Sequence, residues 1–257
     1  MKNKIIAFLI LMLVIINIFC FSVSAAEGIN WYVKRSGNKQ PVISEEQKII
    51  EKYNGYYIDK KVSDDSTKKI IYLTFDAGYE NGNVERILNV LKEKNVPAAF
   101  FLLDHIILKN TDLVCRMANE GHLVCNHTKN HKDLTTLTRN EIIKNLTDLE
   151  KIYEQKTGKC MEKYFRFPEG RYNEECLALM NELGYKTIFW SFGYADWDDT
   201  KQPPCDKAME KILSNTHNGE VILLHPTSKT NADILPALID EWRKMGYTFG
   251  SLHELVG

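Results

Sequence analysis

From residue 70 to the end of the chain, short apolar runs of strand length alternate with stretches whose apolar residues recur at helical spacing. This alternation most limits the folds open to the chain. Strands are expected at 70–75, 98–103, 122–126, 164–167, 187–192, 221–224 and 247–250, and helices at 84–94, 112–120, 139–156, 174–183, 206–216 and 232–244. Gly184 and Gly246 follow the fourth and sixth helices as stop signals. Single helices between consecutive strands imply right-handed crossovers and parallel pairing. Seven strands so joined predict a parallel β/α barrel, distorted and closed or nearly closed, with a doubly wound open sheet as the alternative.

Two stretches precede this unit. Lys2 and Lys4, about 17 apolar residues and the small residues ending in Ala25 and Ala26 form the pattern of an export leader over residues 1–26. An uncleaved membrane anchor is the alternative, and it would be the only contact with a membrane. Residues 27–69 are polar and mixed, with turn signals around a short helix expected at 44–53, and read as an extension wrapping the domain at 70–257. Without the leader, 31 basic residues face 34 acidic ones, which argues against a nucleic-acid partner. Five cysteines remain outside the leader, with no CxxC pair, so mostly buried free thiols are expected rather than a disulfide framework.

Parallel β/α folds gather their chemistry at the carboxyl ends of the strands. Five expected strands end in polar groups. They bring Asp76 within Thr74–Gly78, then His127 and His131, then Arg166 with Glu169 and Gly170, then Asp196 beside Trp197, and finally Leu224 and His225. Each has a plain structural explanation: an Asx turn for Asp76, a surface or capping role for the histidine pair, an ion pair for Arg166, a satisfied core position for His225. Their convergence on one rim favours a site. His127 and His131, four residues apart, would share one face of a helical turn and could chelate a divalent cation.

In order and spacing these five segments resemble the motifs of the polysaccharide deacetylases, carbohydrate esterase family 4, also called the NodB homology domain. The resemblance covers about residues 70–257. The stretch Thr74–Gly82, reading TFDAGYENG, and Asn30–Lys34 with Gln40 and Pro41 are similar to the delta-lactam-biosynthetic de-N-acetylases of spore peptidoglycan, which extends the match over most of the remaining chain. The resemblance implies Asp76 as general base, Arg166 as its orienting partner, and His225 as general acid supported by Asp196. It further implies an oxyanion donor at the backbone near Glu169 and Gly170, an apolar wall of Trp197 and Leu224 around the acetyl methyl, and His127 and His131 as ligands of a divalent metal, with zinc the expected ion.

One position departs from the family pattern. The usual second aspartate, a third metal ligand, is here Ala77, so the metal is expected to be weakly held. The implied protein is an exported, monomeric hydrolase acting on peptidoglycan glycan strands, on N-acetylmuramic acid toward muramic delta-lactam. A deacetylase of N-acetylglucosamine or chitin-like oligomers is the runner-up. A catalytically inactive wall-binding module is the reading from another class, but binding alone needs no base paired with an acid.

Overall fold

The expected strands form, but two of the sequence boundaries hide the way the sheet closes. The structure, a computed structural model, describes residues 28–257, so the leader expected at 1–26 lies outside the described residues. A hairpin, β1 (Lys34–Ser36) and β2 (Lys39–Val42), opens the extension, followed by β3 (Gly55–Tyr56). Then come β4 (Ile70–Ala77), α1 (Asn83–Lys94), β5 (Ala98–Leu102), α2 (Asp104–Lys109), α3 (Thr111–Asn119), β6 (Leu123–Asn126) and α4 (Arg139–Thr157). The chain continues through β7 (Glu162–Phe165), α5 (Glu174–Glu182), β8 (Lys186–Ile188), β9 (Phe192–Gly193), α6 (Cys205–Leu213), β10 (Glu220–Leu224), α7 (Lys229–Lys244), β11 (Thr248–Phe249) and α8 (Leu252–Val256).

Among the described residues the main sheet has nine strands in the order β9-β10-β4-β5-β6-β7-β8-β3, with β11 also pairing β4. All of these pairings are parallel. The count exceeds the expected seven for two reasons. The run expected as one strand at 187–192 is split into β8 and β9, and the extension contributes β3.

The split explains the closure. β8 and β9 lie near opposite ends of the ladder, yet only residues 189–191 separate them, a span of at most about 14 Å. The sheet must therefore curl until its ends nearly meet. The intervening backbone bridges them: the Phe189 N–H donates to Tyr56 O at 2.7 Å, and the Ser191 N–H to Val221 O at 2.9 Å.

Alternation along β4 sorts side chains into two layers. Ile71, Leu73, Phe75 and Ala77 pack beneath the helices, with Leu88 of α1 and Leu238 of α7, while Ile70 and Tyr72 face the barrel interior with Phe101, Tyr164 and Val221. By the same period Thr74 and Asp76 point inward. α4 begins on a capping box, Thr138 with Glu141, and ends at Gly158, whose φ of 69° suits a residue without a Cβ.

The extension does more than wrap the domain. Besides β3, its residues Ile29 and Asn30 pair antiparallel with Tyr172 and Arg171, and Trp31 stacks on Phe189 at 4.4 Å between ring centres. All five thiols outside the leader are free, as expected. They are not mostly buried, however: Cys125 and Cys176 are buried, Cys160 and Cys205 exposed, and Cys115 lies between. No helix among the described residues is long and apolar enough to cross a membrane.

Candidate active site

Asp76, one residue before the end of β4, points into the mouth of the barrel. Its Oδ1 accepts from an Arg166 guanidinium N–H at 2.8 Å, and its Oδ2 lies 3.5 Å from His127 Nε2. Arg166 is wholly buried, which without partners would be costly. Its guanidinium has four acceptors: Asp76, Thr74 Oγ1 at 2.9 Å, Ile188 O at 2.9 Å and Phe189 O at 3.3 Å. It also stacks over the Phe101 ring at 4.2 Å. Burial presses the Asp76 carboxyl upward, but the charge of Arg166, then those of His127 and His225, and the Arg166 hydrogen bond outweigh it, leaving the group below its ordinary value.

The loop after β6 carries both expected histidines. It is not the helical turn that their spacing suggested. The Thr128 N–H donates to Asn126 Oδ1, the His131 N–H to Thr128 Oγ1, and Thr128 and His131 sit at positive φ. These local bonds offer the backbone an alternative to helix. The loop still brings the rings together, at 5.0 Å between centres and nearly perpendicular.

His127 Nδ1 is 2.8 Å from Arg166 O, a contact that fits an N–H donor there and leaves the Nε2 lone pair directed at the pocket. Burial drives its pKa down to about 4, so the ring is neutral and competent to ligate. Ala77 supplies nothing, and among the described residues no three His, Cys, Asp or Glu side chains form a metal-holding group. The donor set fits a weakly held divalent ion rather than a closed protein cage.

Opposite stands a second couple. His225 follows β10, and its Nδ1 lies 2.7 Å from Asp196 Oδ1 while its backbone N–H donates to Asp196 Oδ2 at 2.8 Å. Asp196 is fully buried and also accepts from Asn231 Nδ2 at 2.6 Å. Burial lowers the His225 pKa most, but the Asp196 hydrogen bond and charge, with that of Asp76, raise it above its ordinary value overall. A carboxyl held below its usual range and an imidazole held above it thus face one pocket of about 830 Å³.

The expected pocket residues Asp76, His127, His131, Glu169, Trp197 and His225 line this cavity. Arg166 and Asp196 stand behind it as partners. Leu224 does not line it: strand alternation sends Leu224 under the helices and turns Leu223 to the pocket instead. Gly170 is turned against Trp31 and Trp190, and its N–H is taken by Phe167 O, so of the pair only Glu169, at φ 56°, faces the cavity. Trp197 is 60% exposed at the rim rather than enclosed.

Sequence reasoning passed over Asn231, Thr74, Trp190, Arg35 and Lys211. Thr74 sat inside a quoted motif. Asn231 had only the faint signal of an amide one residue before an expected helix, and Arg35 and Lys211 had none.

A curled parallel β/α sheet thus carries a carboxylate–guanidinium couple and a carboxylate–imidazole couple at its carboxyl rim, a placement suited to acid–base chemistry. Residues 63–188 match the family model described as Polysaccharide deacetylase. The chain is 38% identical to the peptidoglycan-N-acetylmuramic acid deacetylase PdaA of Bacillus subtilis over 232 residues, covering 90% of this chain and 86% of that protein. Its fold matches the solved structure of Bacillus subtilis PdaA, a family 4 carbohydrate esterase, with a TM-score of 0.83 and 37% identity over 89% of this chain and 97% of that one. A family 4 carbohydrate esterase from Bacillus anthracis matches with a TM-score of 0.73 and 37% identity, over 90% and 96% of the two chains. The chain belongs to the polysaccharide deacetylase family.

Proposed function

We propose that this protein is an exported peptidoglycan deacetylase that removes the N-acetyl group of N-acetylmuramic acid, a step toward the muramic delta-lactam of spore cortex. Residues 1–26 serve as its export leader and residues 70–257 carry the site. One observation above all supports the reading: Asp76 and His225 open into the same pocket, and each is held by its own buried partner. The choice of sugar draws on the likeness to the muramic acid deacetylase of Bacillus subtilis.

Asp76, kept ionised by Arg166, takes a proton from water as the water oxygen bonds the acetyl carbon. The backbone at Glu169 faces the developing oxyanion. His225, protonated against Asp196, gives its proton to the departing nitrogen as the C–N bond breaks, leaving acetate and a free amine. Leu223 and Trp197 flank the acetyl methyl. His127 and His131 would hold a divalent ion, zinc by expectation, which when bound polarises the acetamide carbonyl. Retention of both couples weighs against a module that only binds wall polymer.

The test is mass spectrometry of defined muropeptides incubated with the purified protein. Exchange of one acetyl group for hydrogen on muramic acid is the expected result. Loss of acetyl only from glucosamine refutes the choice of sugar, and no loss from either refutes the activity.

A further inference from the structure

The pocket continues beyond the catalytic groups to an edge where two cations stand without an ion-pair partner among the described residues. Arg35, in the β1–β2 hairpin, lies over the Phe192 ring at 4.7 Å and donates to Gly193 O, the outer carbonyl of β9. Lys211, on α6, lines the same end. Neither forms an ion pair among the described residues, and both line the one cavity. Two side-chain hydrogen bonds tie the hairpin to this helix: Asn38 Nδ2, at the hairpin turn, donates to Leu213 O at the end of α6 at 2.8 Å and to Thr216 O just past it at 3.0 Å.

The acid whose charge acts on Arg35 is Glu220, which is fully buried. Burial pushes its carboxyl well above the usual range, and among the described residues it forms no ion pair with the guanidinium. One guanidinium N–H is taken by Gly193 O, and the remaining donors keep the planar fork that suits a carboxylate. Asp76 and Glu169 also line the pocket, so an anionic group on the substrate is repelled from the catalytic end and attracted to this one.

The register sets the separation. Gly193 pairs with Leu223, and Leu223 with Thr74, two residues before Asp76. Two strand spacings and two residues of rise place the backbone of the cationic edge about 12 Å from the Asp76 end of the site, less where the sheet curls. That is longer than the reach between neighbouring substituents on one sugar ring and comparable to one disaccharide of an extended glycan.

We propose that Arg35 and Lys211 form an anion subsite that binds the lactyl carboxylate of the next muramyl residue along the strand, one disaccharide from the acetamide being hydrolysed. The proposal rests on the muramic acid reading above and adds to it a preference for substrates with two acidic sugars. Arg35 and Lys211 are specificity-determining residues that touch no reacting atom.

The experiment compares kcat/KM on a muramyl disaccharide, on the tetrasaccharide with two muramyl units, and on the same tetrasaccharide with its lactyl carboxylates converted to methylamides. The wild-type protein is expected to favour the free-acid tetrasaccharide over the disaccharide. Arg35→Gln should shrink that preference about 10–100-fold, mainly through KM, the size of a lost hydrogen bond to a charged group. Arg35→Lys should recover part of it, and Lys211→Glu, on an exposed helix face, should shrink it too. On the methylamide the difference between wild type and Arg35→Gln should vanish.

An equal loss for Arg35→Gln on all three substrates makes the residue a structural strut and overturns the proposal, as does an effect that survives amidation. If the wild-type protein deacetylates only glucosamine, the muramic acid reading itself has failed. If it deacetylates muramic acid with no preference for the tetrasaccharide, the subsite alone has.

Discussion

Asp196→Asn removes one negative charge while nearly conserving shape, and it tests whether His225 acts as an acid. In the wild-type protein Asp196 accepts three hydrogen bonds, from the His225 ring, the His225 backbone N–H and Asn231, and it is wholly buried. An asparagine has one acceptor oxygen, so its amide N–H₂ must face at least one of these donors. Leaving a buried donor unpaired costs about 1–3 kcal/mol of stability.

The electrostatic consequence is larger for function. A buried opposite charge shifts a partner by about 1–3 pKa units, and burial alone pushes His225 below its ordinary 6.5. The alkaline limb of kcat/KM, which reports loss of the proton from His225, should therefore move down by about 1–3 pH units. The sign for stability follows the same shift. Because the folded pKa is raised, the His225–Asp196 contribution is fully present below 6.5 and lost as pH rises through the folded value. The melting temperatures of wild type and variant should accordingly converge at high pH. The assay is deacetylation rate against pH from about 5 to 10 with a parallel thermal series. A variant whose rate falls equally at every pH, with the alkaline limb unmoved, would refute an acid role for His225 tuned by Asp196.

Asp76→Asn should cut turnover about 10²–10⁴-fold, since an amide cannot accept the proton. The variant should fold but melt lower, because Arg166 is left buried without its carboxylate; near wild-type rates would exclude Asp76 as base. His127→Ala should weaken divalent-metal affinity in calorimetry and lower activity together, and unchanged values for both would make the ring structural. Ala77→Asp places a carboxylate at a fully buried position that borders both Leu102 and the pocket wall, so in chelator it should lose about 2 kcal/mol. Added zinc should restore its melting temperature more than it raises that of wild type, with tighter metal binding; no loss in chelator would mean that the new side chain reaches solvent.

The barrel was legible because its evidence is periodic: apolar runs and helical faces repeat over the whole chain. The rim residues were legible because a strand end is a position in sequence as well as in space. What escaped depends on pairing between distant segments. Nothing local marks Gly55 and Tyr56 as a sheet edge, since two residues carry no period and their partner is β8, some 130 residues on. Leu224 and Leu223 were indistinguishable without knowing which face of β10 is inside. Thr128 and His131 at positive φ defeated the helical reading of the histidine pair, because side-chain bonds from Asn126 and Thr128 override the spacing.

The split at 189–191 couples closure of the barrel to construction of the site. Arg166 reaches Asp76 from a position fixed by Ile188 O and Phe189 O, and Trp190, 5.7 Å from its guanidinium, is a wall of the pocket. These residues are in turn held by the extension: Phe189 N–H bonds to Tyr56 O, Trp31 stacks on Phe189, and the Trp31 indole N–H donates to Trp190 O at 2.9 Å. The partner of Asp76 is thus positioned by a backbone segment that the first part of the chain clamps. The stretch at 27–69, polar and without periodicity in sequence, belongs mechanically to the same unit as Asp76 and Arg166, although among its described residues none hydrogen-bonds or ion-pairs with either carboxylate couple.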